Sequence, residues 1–209
     1  IELTSTPIIL MVILGVAGMI IPVINVLRRE RGSSTFYGAI AFGALLLALG
    51  FVIFQFYDDN LAPAAVFSED VLADDGFGSF FAIAMLIVSI MTVAGSFNYM
   101  RKRSNPAIYF SLILLSSIGM VLIAFATDLV MLFVAWELMS IPTYILAGFN
   151  KKNPSSNEAA IKYFLFGALS SGIIIYGISL AYGITGSTNI GDVIYGFANL
   201  SPDMLPLGL

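Results

Sequence analysis

Six continuous apolar stretches constrain this chain more than any other feature of its sequence. A helix needs about 20 mostly apolar residues to cross the hydrocarbon core of a bilayer, at about 1.5 Å of rise per residue. Strands of a membrane β-barrel would be about 10 residues long and would alternate in polarity. We therefore predict an all-α polytopic membrane protein whose six transmembrane helices cover residues 6–27, 34–57, 77–99, 107–127, 129–149 and 157–182.

The composition supports a membrane location and excludes several kinds of chemistry. Apolar residues make up 59% of the 209 residues and charged residues 11%, against about 45–50% and about 25% in soluble domains. The chain has no cysteine and no histidine, which excludes disulfides, thiolate metal sites and haem ligation by these side chains. Its net charge of −4 offers no basic face for nucleic acid. We expect no cofactor and no metal, and the lipid bilayer as the main solvent.

The basic residues indicate the orientation of the helices. Eight of the nine fall in the loops that follow helices 1, 3 and 5, and these eight are Arg28, Arg29, Arg31, Arg101, Lys102, Arg103, Lys151 and Lys152. Such loops face the cytoplasm under the positive-inside rule, so the N-terminus is predicted to lie outside. Ten of the thirteen acidic residues then lie on the outer face. Loop 58–75 is interpreted as a solvated outer loop, with an external cation site as the alternative.

The last part of the sequence differs in character from the six apolar stretches. Residues 183–209 are rich in turn formers, with a predicted surface helix at 190–200, and residues 205–209 become apolar again. We predict three parts: an N-terminal three-helix segment at 1–106, helices 4–6 at 107–182, and an outer linker with the start of a seventh helix at 183–209. The chain begins with Ile1, and both ends are interpreted as cuts within a longer protein.

One acidic residue, Glu137, is predicted at bilayer depth. It lies eight residues into helix 5, about 18 Å from the predicted cytoplasmic end of that helix. A charge at this depth costs roughly 2.5–3.5 kcal/mol on insertion scales, so such residues usually face protein or water and mark a polar pathway. Pro142 frees a backbone carbonyl nearby, and Ser140 and Tyr144 share the face of Glu137. Together they could hold water beside the carboxylate. A simple helix–helix contact is the alternative.

Lys162 is the one basic residue outside the loops. It is predicted one to two turns inside helix 6, where its side chain could extend to the lipid headgroups. Helices 5 and 6 form a hairpin, however, so Lys162 and Glu137 could instead form a proton relay through one or two waters. Glu158, four residues before Lys162, is a candidate partner for the lysine.

Three runs of residues resemble a known family of membrane subunits. FVAWELMSIPTYIL at 133–146 resembles helix 5 of the antiporter-like subunits of respiratory complex I, and EAAIKYFLFGALSSG at 158–172 resembles their helix 6. YGISLAYGITGSTN at 176–189 is most similar to the N subunit, including its relative in the archaeal F420H2 dehydrogenase. The resemblance is strong over 107–189 and looser before it, where residues 73–81 match best.

The resemblance implies a fold and a function beyond what the residues show. It implies an incomplete antiporter-like fold, in which Glu137 tunes a lysine of a later helix and Lys162 belongs to the same proton pathway. The chain would then be a proton-translocating membrane subunit of a complex I-like oxidoreductase, a translocase whose redox steps occur elsewhere. Its partners would be other membrane subunits, including neighbouring antiporter-like ones. The alternatives are a subunit of a multisubunit Na⁺/H⁺ antiporter and a non-conducting scaffold subunit.

Overall fold

The computed structural model describes residues 5–28, 33–57, 71–101 and 103–199. Over these ranges the chain forms seven helices, and the first six are long and apolar enough to cross a membrane. The predicted all-α polytopic fold is confirmed. The helices are α1 Thr6–Leu27, α2 Ser34–Tyr57, α3 Gly76–Met100, α4 Pro106–Phe125, α5 Leu129–Ala147, α6 Pro154–Thr185 and α7 Ile190–Ala198.

Helix α6 is longer at both ends than the apolar pattern predicts. The Asn153 side chain accepts a hydrogen bond of 3.0 Å from the backbone N–H of Ser155, so the helix begins before its apolar residues do. It ends at Gly186, whose φ of 72° is a left-handed conformation that glycine adopts without a Cβ penalty. Capping residues therefore determine where α6 begins and ends, whereas the apolar stretch predicts only the part of the helix that crosses the membrane.

The fourth helix is the centre of the bundle. It packs against α1, α2, α3 and α5, and its side chains Phe110, Leu114 and Phe125 are almost fully buried. Gly18 of α1 lies against α4, where the Ser111 hydroxyl donates a hydrogen bond to its carbonyl oxygen. In contrast, α6 packs against α5 and α7, and none of its residues is buried within the chain. The α5–α6 pair is thus attached at one side of a compact core.

Aspartates cap helices at the end of the bundle where α3 and α5 begin. Asp75 accepts a hydrogen bond of 2.7 Å from the backbone N–H of Gly78, and Asp128 accepts from Val130 and Met131 at 2.8 and 3.0 Å. Asp74 accepts from the backbone N–H of Thr6 at 2.8 Å. These carboxylates satisfy the unpaired donors and positive ends of the helices. Within the described ranges, no three acidic side chains come together as metal ligands.

The opposite end of the bundle brings the three basic loops together. Five basic residues of these loops line one cleft: Arg28, Arg101, Arg103, Lys151 and Lys152. The loops after α1, α3 and α5 therefore lie on a single face, as their sequences predict. Which face is cytoplasmic stays a prediction. Residues 58–70 of the acidic loop and the apolar residues 205–209 lie outside the described residues.

The orientation can be tested by labelling single cysteines, because the chain has none of its own. We expect cysteines replacing the exposed residues Ser33, Ser104 and Ser155 to react with a membrane-impermeant maleimide only from the cytoplasmic side. A cysteine replacing exposed Asn199 serves as the matched control and should react only from outside. Reaction of any of the first three in intact cells would contradict the predicted orientation.

Candidate functional site

Glu137 lies near the middle of α5, which begins directly after the Asp128 cap. Nine residues separate the two, so the carboxylate-bearing residue is about 13 Å along the helix from its capped end. It is half-buried, whereas Ala135, two residues earlier, is fully buried with its carbonyl oxygen close to Gly119 of α4. Residues two positions apart lie on different sides of a helix, so the Glu137 side chain points away from α4. Glu137 thus lies near the middle of a helix long enough to span a membrane, and its depth in the bilayer stays a prediction.

The Glu137 carboxylate makes a hydrogen bond across to α6. The Ser171 hydroxyl donates to its Oε1 oxygen at 2.5 Å, and the two residues are 34 positions apart in the chain. A hydroxyl bond to a carboxylate is among the stronger hydrogen bonds in proteins, more so where water is scarce. The site therefore consists of an acidic residue and a hydroxyl partner that link two spanning helices at mid-depth.

The segment of α5 that follows Glu137 is supported by α4. Ser140 is 5% exposed and Pro142 is also buried. The Thr143 hydroxyl donates to the Ser140 carbonyl at 2.7 Å, and Ser116 of α4 donates to the Met139 carbonyl at 3.1 Å. These bonds satisfy the carbonyls of Ser140 and Met139, whereas the carbonyl that Pro142 leaves without an N–H donor is that of Leu138. Ser140 and Pro142 thus lie in the buried part of α5, and no described contact joins either side chain to the Glu137 carboxylate.

Tyr144 packs into the hairpin of α5 and α6. Its ring lies edge-on against Tyr163 and Phe164, with centroid distances of 4.9 and 5.9 Å. Gly167 makes room for it, because a Cβ at that position would lie 2.5 Å from the Tyr144 Cζ atom and closer still to its hydroxyl oxygen. Tyr144 therefore fixes the spacing of the two helices, one turn or more from the carboxylate it was predicted to assist.

Lys162 is separated from Glu137 along α6. Its Nζ atom lies 2.5 Å from the Glu158 carboxylate, which confirms the predicted pair at i and i+4, and both side chains are about two-thirds exposed. Nine residues, or about 13 Å of helix, separate Lys162 from Ser171, which is the residue that touches Glu137. The structure does not bring the predicted Glu137–Lys162 couple into direct contact.

The capped end of α5 is tied to the chain that follows α6. The backbone N–H of Leu129 donates to the Thr188 carbonyl at 2.8 Å, and that of Ile190 donates to the Thr127 carbonyl at 2.9 Å. The Thr188 hydroxyl also donates to the Asp128 carboxylate. These bonds fix the far ends of α5 and α6 relative to each other, which keeps Ser171 in register with Glu137. The predicted surface helix follows directly, as α7.

Sequence reasoning missed two parts of this site. Ser171 was not singled out among the small residues of α6, although equal counting from the turn at Asn153 places Glu137 opposite residue 169, two positions from Ser171. The support from Ser116 and Gly119 of α4 was missed as well. Nothing in the sequence marks those residues, because their role depends on which face of α4 meets α5.

Taken together, the fold and the site define a class of protein: a multi-pass membrane protein with a carboxylate held between two of its spanning helices. Residues 126–205 match the transmembrane family described as NADH:quinone oxidoreductase/Mrp antiporter. The chain is 38% identical over 185 residues to NADH-quinone oxidoreductase subunit N of Trichlorobacter lovleyi, covering 87% of this chain and 36% of that protein. The chain belongs to the family of antiporter-like, N-subunit-type membrane proteins.

Two further comparisons agree with this family. The chain is 38% identical over 125 residues to F(420)H(2) dehydrogenase subunit N of Methanosarcina mazei, which covers 60% of this chain and 25% of that protein. A subunit in the structure of respiratory complex I from Thermus thermophilus with bound aureothin superposes with a TM-score of 0.71 at 28% identity, covering 87% of this chain and 38% of that one. The matches therefore cover between a quarter and two fifths of the length of these relatives, and the resemblance found in the sequence is confirmed.

Proposed function

We propose that this chain is part of a proton-translocating membrane subunit of a complex I-like oxidoreductase. The observation that carries the proposal is the Glu137 carboxylate at mid-depth, with Ser171 of the neighbouring helix as its hydrogen-bond donor. A carboxylate can take up and release a proton, and a hydroxyl can both donate and accept hydrogen bonds in a proton chain. The names of its relatives place them in respiratory oxidoreductases, and we extend that assembly to this chain.

In this proposal the redox chemistry occurs in other subunits and this one moves protons. Release of redox energy would change the charge near Glu137, and the carboxylate would load or unload its proton in response. The three predicted parts, residues 1–106, 107–182 and 183–209, would then have different roles. Helices α4–α6 carry and support the carboxylate, α1–α3 cover α4, and the last part ties α6 to α5.

The family description also names Mrp antiporters, so a subunit of a multisubunit Na⁺/H⁺ antiporter is the second candidate. Purification of the assembly from its native membrane, followed by mass spectrometry of the co-purifying chains, separates the two. We expect dehydrogenase subunits and a proton gradient that forms in sealed vesicles on addition of a reduced electron donor without Na⁺. A gradient that needs Na⁺ and no electron donor would favour the antiporter, and assembly with no ion movement would favour a scaffold.

Lys162 is a candidate for a secondary position in the pathway. Because about 13 Å of helix separates it from the Glu137 contact, its charge acts on the carboxylate only through intervening groups. We expect Lys162→Arg to keep most of the proton-pumping rate and Lys162→Met to lower it by roughly two- to fivefold. The measurement is the number of protons moved per electron in sealed vesicles. Unchanged pumping by the Met variant would assign Lys162 to the headgroup region alone.

A further inference from the structure

The basic end of the bundle contains a cleft that the proposed proton pathway does not use. Its volume is about 1210 Å³, and it lies between the loops that follow α1, α3 and α5. Five basic side chains line it, and none of its lining residues within the described part of the chain is acidic. The same three loops carry three more basic residues and one glutamate, Glu30. Among the described residues that line the cleft, no carboxylate therefore compensates its five positive charges.

Two of the arginines in the cleft are held in place by aromatic rings. The Cζ atom of Arg28 lies 4.4 Å from the centroid of the Phe36 ring, and that of Arg103 lies 4.0 Å from the centroid of the Tyr99 ring. A guanidinium group stacked on a ring keeps its N–H donors free at the edge of its plane. These donors form the planar fork that binds a phosphate through two hydrogen bonds. In the described ranges, the one ion pair is Glu158–Lys162, which leaves both arginines without a carboxylate.

Other polar groups in the cleft also lack a partner. The Ser34 hydroxyl is buried, lines the cleft and has no hydrogen-bond partner among the described residues. Asn105 adopts a left-handed conformation with a φ of 61°, and its side chain does not cap α4. The first N–H groups of α4 therefore lack a side-chain acceptor at their positive helix end. Each of these groups is a donor suited to an anionic oxygen.

The walls of the cleft indicate that its ligand also has an apolar part. Ile108 and Ile145, which line it, are 44% and 50% exposed and belong to spanning helices. The cleft therefore lies where the spanning helices end, at the level of the lipid headgroups, and continues onto an apolar surface. A free phosphate would fill only the charged part. A phospholipid would place its phosphate among the arginines and its acyl chains along the isoleucines.

We propose that this cleft is a binding site for an anionic phospholipid, whose phosphodiester is held by Arg28 and Arg103 together with the lysines of the α5–α6 turn. Basic pockets between spanning helices bind acidic headgroups in this way. The site is independent of the proton pathway, since it lies at the helix ends and shares no described hydrogen bond with Glu137. An acidic segment of a partner protein is the competing occupant, and it would leave the cleft inaccessible to lipid.

A photoreactive phosphatidylglycerol tests the proposal in the purified assembly that contains the chain. We expect cross-links to peptides covering residues 100–110 and 145–153, which excess phosphatidylglycerol suppresses and phosphatidylcholine does not. Inorganic phosphate is the second competitor. If it suppresses the cross-links as well as the lipid does, the site binds a soluble anion and the proposal is wrong. Absence of cross-links at these peptides would also overturn it.

Three variants that each remove one positive charge test which residues hold the lipid, and one of the three is the matched control. Arg103→Gln and Lys151→Gln, each in a different loop, should lower the cross-linking yield about fivefold, because each basic residue near an acidic headgroup contributes on the order of a fivefold change in affinity. Lys162→Gln removes the same charge outside the cleft and should leave the yield unchanged. Equal losses in all three variants would show that net charge alone attracts the lipid, which would contradict a specific site.

Discussion

Replacing Glu137 with glutamine is expected to lower coupled proton translocation by roughly tenfold or more, while the complex still assembles. Glutamine keeps nearly the same volume, and its carbonyl oxygen can still accept the hydrogen bond from Ser171, so the α5–α6 contact is retained. What glutamine cannot do is bind and release a proton. The variant therefore separates the chemistry of the carboxylate from its structural role. Glu137→Asp, which keeps the acid at a shorter reach, should keep part of the activity.

The measurement is the number of protons translocated per electron in sealed vesicles, with the amount of assembled complex determined on a native gel. Asp192→Asn is the matched control, because it removes one carboxylate from the exposed start of α7, outside the spanning helices. Its proton-to-electron ratio should equal that of the wild-type. A wild-type ratio in the Glu137→Gln variant would exclude the carboxylate as a proton carrier.

A pair of adjacent serines tests the hydrogen bond itself. Ser171→Ala removes the donor to Glu137, whereas Ser170 donates back to the Phe166 carbonyl of its own helix at 2.9 Å. We therefore expect Ser171→Ala to lower the number of protons moved per electron in sealed vesicles, whereas Ser170→Ala should leave it unchanged. Both variants remove one serine hydroxyl from α6, but only the hydroxyl of Ser171 is bonded to the Glu137 carboxylate.

The six spanning helices were predictable because one physical requirement determines them. Each must carry enough apolar residues to cross the bilayer, and each bounded apolar stretch therefore predicts one helix. The ends of α1 and α2 agree with the pattern at every residue, since loops with charged or turn-forming residues follow directly. The predicted start of α6 was wrong by three residues, because Pro154 is a turn former and the two serines after it are polar, yet the Asn153 cap begins the helix with them.

The candidate site was predictable only in part. Glu137 is conspicuous in a sequence, because a carboxylate within an apolar stretch is costly and rare. Its partner is not, since Ser171 belongs to a group of small residues that also permits close packing. The predicted role of Tyr144 beside the carboxylate finds no contact in the structure, where the ring packs against α6. Spacing along one helix predicts which of its residues share a face. Which of those residues contact a second helix depends on the angle and register at which the two helices pack.

Helices α4 and α5 approach each other closely behind the candidate site. A Cβ placed on Gly119 of α4 would lie 2.7 Å from the Ala135 carbonyl oxygen and 2.8 Å from the Cα atom of Met139, and closer still to the Met139 amide nitrogen. All three are backbone atoms of α5, which cannot move aside as the end of a flexible side chain can. Glu137 lies between these two residues in the sequence but on the other side of α5, where Ser171 of α6 donates to it, so the contact with Gly119 positions the backbone of α5 that carries the carboxylate.

We therefore expect Gly119→Ala to be strongly destabilising, at a cost of about 3 kcal/mol, because the new methyl group pushes α5 away from α4. The gain in helix propensity of about 1 kcal/mol is too small to offset this cost. The net loss of about 2 kcal/mol should lower the thermal unfolding midpoint in detergent by roughly 4–8 °C. Separation of the helices would also break the bond from Ser116 to the Met139 carbonyl and displace Glu137, so proton pumping should fall in whatever protein still assembles.

Gly43→Ala is the matched control, since no atom lies within 4 Å of a Cβ at that position on α2, and its midpoint should be equal or slightly higher. An unchanged midpoint and pumping rate in Gly119→Ala would show that α5 can move away from α4 without cost, and the depth of Glu137 would then not depend on this contact.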